Sequence, residues 1–478
     1  MKPDFSEHII LRAAREGGAT VCGVGVSNLP LIDFLLGYGV LVVARDRQTR
    51  EQKGEELCRE LEAKGVRLVF GDGYLDDIRE AVIFRTPGMR PDLEPLAEAV
   101  KNGALMTSEM ELFFELTPAR IIALTGSDGK TTSTTLTYKF LQEHLSRVGQ
   151  GRAYVGGNIG EPLLPRVHDM AADDWAVVEL SSFQLMTMKR SAERAAVTNL
   201  SPNHLDWHCG MEEYAEAKKN VYRHGAARLT VNSESAPTRE MGIEFGGKTV
   251  FFTAKKHSYE DVVPVGKTGA EAIFERDGKI VFSDGVQEKI LLDTADIILP
   301  GRHNVENYMT AISNTYGIVS ESVYKTVAST FPGVEHRLEF VRELDGVKYY
   351  NSSIDSSPSR TAAALSALTV KPVVICGGYD KNIPFAPLAE ALCERAVGVV
   401  LTGDTAGKIY DALLSYDGFD IARLPICRVD DFEGAVNKAR EMAQCGGAVL
   451  LSPGCASFDK FKNFMQRGEC FKKIVNAF

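Results

Sequence analysis

The stretch LTGSDGKTTSTT, Leu124 to Thr135, follows PARIIA and runs an apolar strand-like segment into a glycine turn that ends on Lys130 and Thr131. Backbone N–H groups of such a turn at a helix N-terminus hold phosphate oxygens, and the Lys and Thr add a countercharge and a Mg²⁺ ligand. Gly126, Ser127, Asp128, Gly129, Lys130, Thr131 and Thr132 are therefore candidate nucleotide-phosphate residues. The spacing departs from GxxxxGK[ST], since Leu124 stands at the first Gly position, and a chance glycine-rich turn is the alternative.

A Mg²⁺ partner is expected from a carboxylate at the C-terminal end of a neighbouring buried strand, and WAVVEL places Glu179 there. A solvated strand-end Glu is the other reading. In AAVTNLSPNHLDWH the strand ends at a polar turn with His204 and Asp206; the Asp is equally a helix cap and the His a packed surface ring. MEEYAEAKKNVYRHG predicts a helix on which Tyr214, Lys218, Val221 and Tyr222 share a face. A lysine on an apolar stripe usually snorkels to solvent.

The elements that must position these residues follow one alternation. Short apolar runs lead into glycine-containing turns and then helical patterns, as in parallel α/β domains. The alternation occurs three times, opening with ATVCGVGVSN, ARIIALTGSDGK and KPVVICGGYD, and boundaries fall near Leu116–Pro118 and Phe331–Val334. The expected domains are 1–116, 117–333 and 334–478. Between about Leu229 and Leu299, alternating turn-rich pieces such as KTVFFTA and GKIVFSDG predict a small antiparallel insertion in the middle domain.

At 478 residues the chain is too long for one core, which agrees with about three domains at roughly 150 residues each. A formal charge of −10 argues against a protein that wraps nucleic acid. No apolar run is long enough to span a membrane, and the acidic start MKPDFSEHII is not a secretory signal. Nine scattered cysteines with no CxxC pair indicate neither a disulfide framework nor a zinc knuckle, and fit a reducing cytoplasm.

Taken in order, these residues resemble the ATP-dependent Mur ligases, which build the peptide of bacterial peptidoglycan. TGSDGKTT is similar to the family's TG[ST]NGK[ST][ST] loop, GGNIG to its nucleotide-sugar segment, and ELSSFQL and NHLDWH to its metal and substrate turns; RHNVEN and PGVEHRLEFV resemble its hinge and adenine elements. LLSPGCASFDKFKNFMQRGECF resembles the C-terminal signature of the D-glutamate-adding branch. The resemblance covers nearly the whole chain. It implies an α/β fold of three domains: a Rossmann-like N-terminal domain, a P-loop central ATPase domain with a parallel sheet and the antiparallel insertion, and a Rossmann-like C-terminal domain. It also implies a cytoplasmic monomer that joins D-glutamate to UDP-N-acetylmuramoyl-L-alanine (UDP-MurNAc-L-Ala) with ATP through an acyl phosphate.

By the same resemblance Lys130 and Thr131 hold ATP phosphates and one Mg²⁺, with Glu179 as that ion's carboxylate. His204 helps hold a second Mg²⁺, and Lys218 aligns with a carbamylated lysine whose CO₂ adduct is an anionic ligand. Asn307, Arg337 and Ser352 border the nucleotide, and Ser356, Lys381, Ser457 and Phe464 surround D-glutamate. Ser457 also reads as the N-cap of a helix burying Phe461, Phe464, Phe471 and Ile474. GVGVSN lacks the third Gly of GxGxxG, so Gly25, Val26 and Ser27 are assigned to a UDP pyrophosphate rather than a nicotinamide dinucleotide. Asp46 and Arg47 are candidates beside the uracil, while Gly88, Asn158 and His204 complete the sugar-nucleotide set.

Two positions depart from the family. Ser352 replaces an Asp expected near the ATP ribose, with Asp355 close by, and Asp128 replaces an Asn. The competing expectations are another ligase of the superfamily, such as a folylpolyglutamate synthase, and a non-catalytic P-loop sensor of UDP-sugars. Two metal sites have little use in a sensor.

Overall fold

The computed structural model describes residues 3–205, 207–299, 301–380 and 383–478. Its strands are, in chain order, β1 (Ala19–Cys22), β2 (Val42–Asp46), β3 (Arg67–Phe70), β4 (Val82–Arg85), β5 (Leu105–Thr107), β6 (Arg120–Thr125), β7 (Ala153–Gly157), β8 (Trp175–Glu179), β9 (Arg194–Val197) and β10 (Arg228–Asn232). They continue with β11 (Lys248–Thr253), β12 (Glu271–Arg276), β13 (Lys279–Ser283), β14 (Glu288–Asp293), β15 (Glu339–Leu344), β16 (Val347–Asn351), β17 (Val373–Cys376), β18 (Gly398–Leu401), β19 (Ile426–Arg428) and β20 (Ala448–Leu451). Three sheets result, ordered β3-β2-β1-β4-β5, β14-β13-β12-β11-β10-β9-β6-β8-β7 and β15-β16-β20-β17-β18-β19. The first two lie in one compact unit, residues 1–294 with 306–327, and the third in a second unit, residues 295–305 with 328–478.

The first sheet is parallel throughout. Its central strands are short continuous apolar runs because helices cover both faces: β1 and β4 are buried at every position. The second sheet is parallel from β7 across to β12. The expected antiparallel insertion is therefore corrected in form. Lys248–Thr253 is a parallel strand reached through the helix Ala236–Glu244, and only β12–β13–β14 run antiparallel, as the far edge of the same sheet. The tight turn Asp277–Gly278, with both φ values positive, lets the chain reverse there. In the third sheet β15 is antiparallel to β16 and every other pairing is parallel.

Each sheet reverses its strand order where a loop must be open to solvent at strand C-termini, the place where open α/β sheets bind ligands. β1 lies between β2 and β4, β6 between β8 and β9, and β20 between β16 and β17. These positions hold the loops that begin at Gly23, Gly126 and Ser452.

Within the first unit, two arginines join the first sheet to the second. Arg85, 1% exposed, donates to the carbonyls of Thr86, Pro87 and Met89 and reaches across to Phe183 O (3.2 Å) and Thr187 Oγ1 (3.3 Å). Arg90 donates to Trp207 O (2.8 Å) and pairs with Glu213 (3.0 Å), while Trp207 Nε1 donates to Gly88 O (2.9 Å).

In the second unit the helix Phe464–Asn476 comes so close to its neighbours that only glycine fits at 468. A Cβ there would lie 2.2 Å from His336 Nδ1 and 2.9 Å from Asn351 Nδ2. Alanine is the better helix former by about 1 kcal/mol, so a helix limited by propensity would gain from Gly468→Ala. We expect the opposite, a loss of about 1–3 kcal/mol from overpacking, read as a lower urea midpoint of the transition that includes this unit.

Candidate active site

The strand β6 is buried from Ile121 to Thr125, and its end turns sharply at Gly126. Gly126 has φ +142°, and a Cβ would sit 1.9 Å from Thr198 Oγ1, so both backbone conformation and space exclude a side chain. Gly129 has φ +75° and caps the helix Lys130–Val148. A Cβ there would meet Asn307 Oδ1 at 2.5 Å; that oxygen accepts a hydrogen bond from Ser133 Oγ (3.2 Å). Asn307 therefore lies directly behind the glycine turn.

The turn is held from the strand on its other side. Ser127 N donates to Asn199 O (2.9 Å), Asp128 N to Asn199 Oδ1 (3.0 Å), and Thr198 Oγ1 to Asp128 O (2.6 Å). Ser127 Oγ donates to Ser201 O and lies 3.0 Å from the Tyr214 hydroxyl. Lys130 Nζ folds back on Ser127 O (2.7 Å), leaving its charge over the turn. Thr131 and Thr132 are half-buried in the first turn of the helix, whose leading N–H groups lack intrahelical acceptors.

Two buried ionisable groups flank this turn. Glu179, 1% exposed, ends β8 in register with Leu124 of β6. Its Oε1 accepts from Asn158 Nδ2 (2.9 Å), while its Oε2 is buried with no hydrogen-bond partner. Such an orphaned carboxylate oxygen costs free energy unless a cation completes it. Lys218, also 1% exposed, lies on the helix Met211–Lys219, and its Nζ donates to Thr125 Oγ1 (3.0 Å) and Gly126 O (2.9 Å). It does not snorkel. Burial holds its pKa well below the usual lysine value, the Lys130 charge pushes the same way, and Glu179 opposes them. The helix ends at Lys219, short of the expected face, yet Val221 and Tyr222 are buried in the turn that follows.

His204 sits at the exposed turn after β9 with φ +54°, its ring 4.9 Å from Phe183. Asp206 lies outside the described residues. His208, absent from the expected set, is buried between Ser182 Oγ (2.8 Å) and Glu213 (3.3 Å). Burial lowers its pKa.

In the first sheet Asp46 faces the glycine loop. Its carboxylate accepts from Val24 N (2.7 Å) and Gln48 N (2.9 Å) and pairs with Lys53 (2.7 Å), which holds its pKa below the usual range against the cost of burial. Asp46 thus orders the loop that carries Gly25, Val26 and Ser27, whereas Arg47 is exposed and Val26 is 81% exposed.

The second unit gathers its own candidates at the ends of β16, β17 and β20. Ser352 is buried and accepts from Leu338 N (3.0 Å). Asp355, three residues on, accepts from Ser452 Oγ (2.8 Å), and burial raises its pKa to about 6. Ser356 is half-buried and Arg337 exposed. Lys381 lies outside the described residues. Ser457 is 2% exposed but is not a helix N-cap, because a turn intervenes and Asn463 caps the helix, its Oδ1 accepting from Gln466 N (2.9 Å). Phe464 opens that helix with its ring edge-on to His336 at 5.8 Å.

Residues 124–314 match the Mur ligase middle domain and residues 336–455 the Mur ligase glutamate ligase domain. The chain is 44% identical over 466 residues to the UDP-N-acetylmuramoylalanine–D-glutamate ligase of Acetivibrio thermocellus, covering 96% of each. It is 43% identical to the enzyme of that name from Clostridium perfringens, over the full length of both. Among solved structures, the UDP-N-acetylmuramate–alanine ligase of Thermotoga maritima shares the fold with a TM-score of 0.55 at 17% identity, over 96% of this chain and 99% of that one.

The geometry at Gly126 gives a direct expectation. Gly126→Ala should lower affinity for ATP at least about a hundredfold in an equilibrium titration, with far-UV circular dichroism unchanged, because the clash falls on the turn itself.

Proposed function

This chain belongs to the Mur ligase family, and we propose that it is the ATP-dependent enzyme that joins D-glutamate to the L-alanine carboxylate of UDP-MurNAc-L-Ala in peptidoglycan precursor synthesis. The observation that carries the reading is the phosphate turn flanked by a carboxylate oxygen without a partner and a buried amine of depressed pKa. A sensor that only holds a nucleotide gains nothing from that costly pair.

A carboxylate resists amide formation because its charge is delocalised and it has no good leaving group. Transfer of the γ-phosphoryl from ATP to the alanyl carboxylate forms a C–O–P linkage and releases ADP. The amine of D-glutamate then attacks the acyl carbon, the C–N bond forms, and phosphate leaves with the C–O electron pair as the amine gives up a proton. The chain's part is to bring anions together. Lys130 and the first-turn N–H groups hold the phosphates, and Asn307 supports the turn.

The donor set suits a hard divalent cation. Thr131 and Glu179 would hold one Mg²⁺, and His204 with carbamylated Lys218 a second. Bound there, Mg²⁺ supplies neutralisation of the phosphate and carboxylate charges. Lys218 is fitted for the adduct: burial favours its neutral amine, which adds CO₂ and loses a proton to become a carbamate.

The three-part assignment follows the sheets. Residues 1–116, a Rossmann-like domain, take the UDP-sugar at Gly25, Val26, Ser27, Arg47 and Gly88, with Asp46 fixing the loop; Asn158 and His204 extend that site. Residues 117–333 take ATP. Residues 334–478, Rossmann-like again, take D-glutamate at Ser356, Lys381, Ser457 and Phe464, and Arg337 and Ser352 keep the nucleotide contacts that the family resemblance implies. The enzyme works as a cytoplasmic monomer. Among the described residues no helix is long and apolar enough to cross a membrane.

Phosphate release from ATP should require both UDP-MurNAc-L-Ala and D-glutamate, and hydroxylamine should trap the activated alanyl group as a hydroxamate. Release with either substrate omitted would contradict the ligase reading. Lys130→Ala should lower kcat by about a thousandfold or more. Equilibration with isotope-labelled bicarbonate should give a carbamate NMR signal that disappears in Lys218→Ala.

A further inference from the structure

The helix Phe464–Asn476 sends one side chain into the second unit that none of the roles above uses. Arg467 is 3% exposed and makes four hydrogen bonds. Nε donates to Ser353 Oγ (3.1 Å), Nη2 to Ser353 O (2.9 Å) and Cys455 O (3.1 Å), and Nη1 to Ala456 O (3.0 Å). Every acceptor is uncharged. A buried guanidinium normally sits against a carboxylate, because desolvating the charge is costly unless an anion compensates it. Burial lowers its pKa to about 10, against the opposing charge of the Asp459 carboxylate, and it stays cationic at neutral pH.

The acceptors lie in the loops that follow two neighbouring strands of the sheet, β16 and β20. Ser353 follows β16 and lies three residues before Ser356; its hydroxyl also donates to Phe464 O (2.8 Å). Cys455 and Ala456 follow β20 and immediately precede Ser457. Ala456 O additionally accepts from Tyr379 N (3.0 Å), bridging to the loop after β17, two positions before Lys381 in the sequence. That loop begins with Gly377 and Gly378, and a Cβ on Gly378 would come 2.2 Å from Ala456 O and 3.1 Å from Arg467 Nη1. One planar fork thus fastens the loops after β16 and β20 directly, and Ala456 O, which it also holds, ties in Tyr379 after β17.

We propose that Arg467 is the positioning residue of the amino-acid site: its guanidinium sets the loops after β16 and β20 in one register and, through Ala456 O, carries the loop after β17 with them. The inference deepens the assignment of D-glutamate to this unit and rests on it. The fork geometry matters as much as the charge, since an ammonium on a four-carbon stem cannot reach acceptors on two loops at once in one plane.

The test is steady-state kinetics of Arg467→Lys and Ser353→Ala in the full-length protein, varying each substrate separately. Arg467→Lys should raise the KM for D-glutamate about tenfold or more, and Ser353→Ala about threefold, while the KM values for ATP and UDP-MurNAc-L-Ala stay within about twofold. Guanidinium ion added to Arg467→Ala should recover part of the D-glutamate dependence, a rescue that a purely structural role would not show. An unchanged KM for D-glutamate in both variants overturns the inference, and so does a parallel loss for all three substrates in Ser353→Ala, whose single lost hydroxyl leaves the helix in place. A wild-type protein whose phosphate release ignores D-glutamate would instead defeat the ligase assignment, so the two failures are distinguishable.

Discussion

The burial of Lys218 under the phosphate turn is the constraint on which the active site depends. Its amine spends both of its recorded hydrogen bonds on Thr125 and Gly126, the last residue of β6 and the first of the turn. An ammonium so placed pays a desolvation penalty that nothing nearby fully offsets, since Glu179 opposes the shift less than burial and Lys130 promote it. The unsatisfied Oε2 of Glu179 is a second uncompensated polar group beside the same turn.

The architecture repeats one solution with three sheets. In each, the glycine-rich or polar loops emerge where neighbouring strands lead off in opposite directions, the position at which open α/β sheets take ligands. The chemistry then differs by loop content. The first loop is fixed by Asp46 on Val24 N, the second by Asn199 and Thr198, and the third by Arg467 on carbonyls from two strand ends.

Much of this was legible in the sequence, and the rest was hidden for identifiable reasons. The glycine turn and Glu179 were legible because strand ends and strand-to-helix turns are local properties, whereas helical spacing alone sent Lys218 snorkelling to solvent and only the family resemblance set it inward; the structure brings all three together. The edge strands misled because alternating, turn-rich segments read as antiparallel, whereas the direction of KTVFFTA is decided by its pairing with β10, a nonlocal fact. The Ser457 cap failed because Asn463 competes for the same job six residues later and wins the hydrogen bond from Gln466 N. Arg467 and His208 stand inside quoted motifs, LLSPGCASFDKFKNFMQRGECF and NHLDWH, yet nothing in their spacing singled them out: an arginine on a mixed helix reads as solvated, and only the folded chain shows its donors consumed by distant carbonyls.

The seam made by Arg85, Arg90 and Trp207 bears on how such a protein can change over time. Modular enzymes are often pictured as beads whose order and origin can be shuffled. Here the bead carrying Gly25 owes its docking to carbonyls and an acid contributed by the next one, so a transplanted version would arrive with a desolvated guanidinium facing the wrong partners. The two modules are thereby matched to each other, and exchanging one alone would demand a compensating change at the seam.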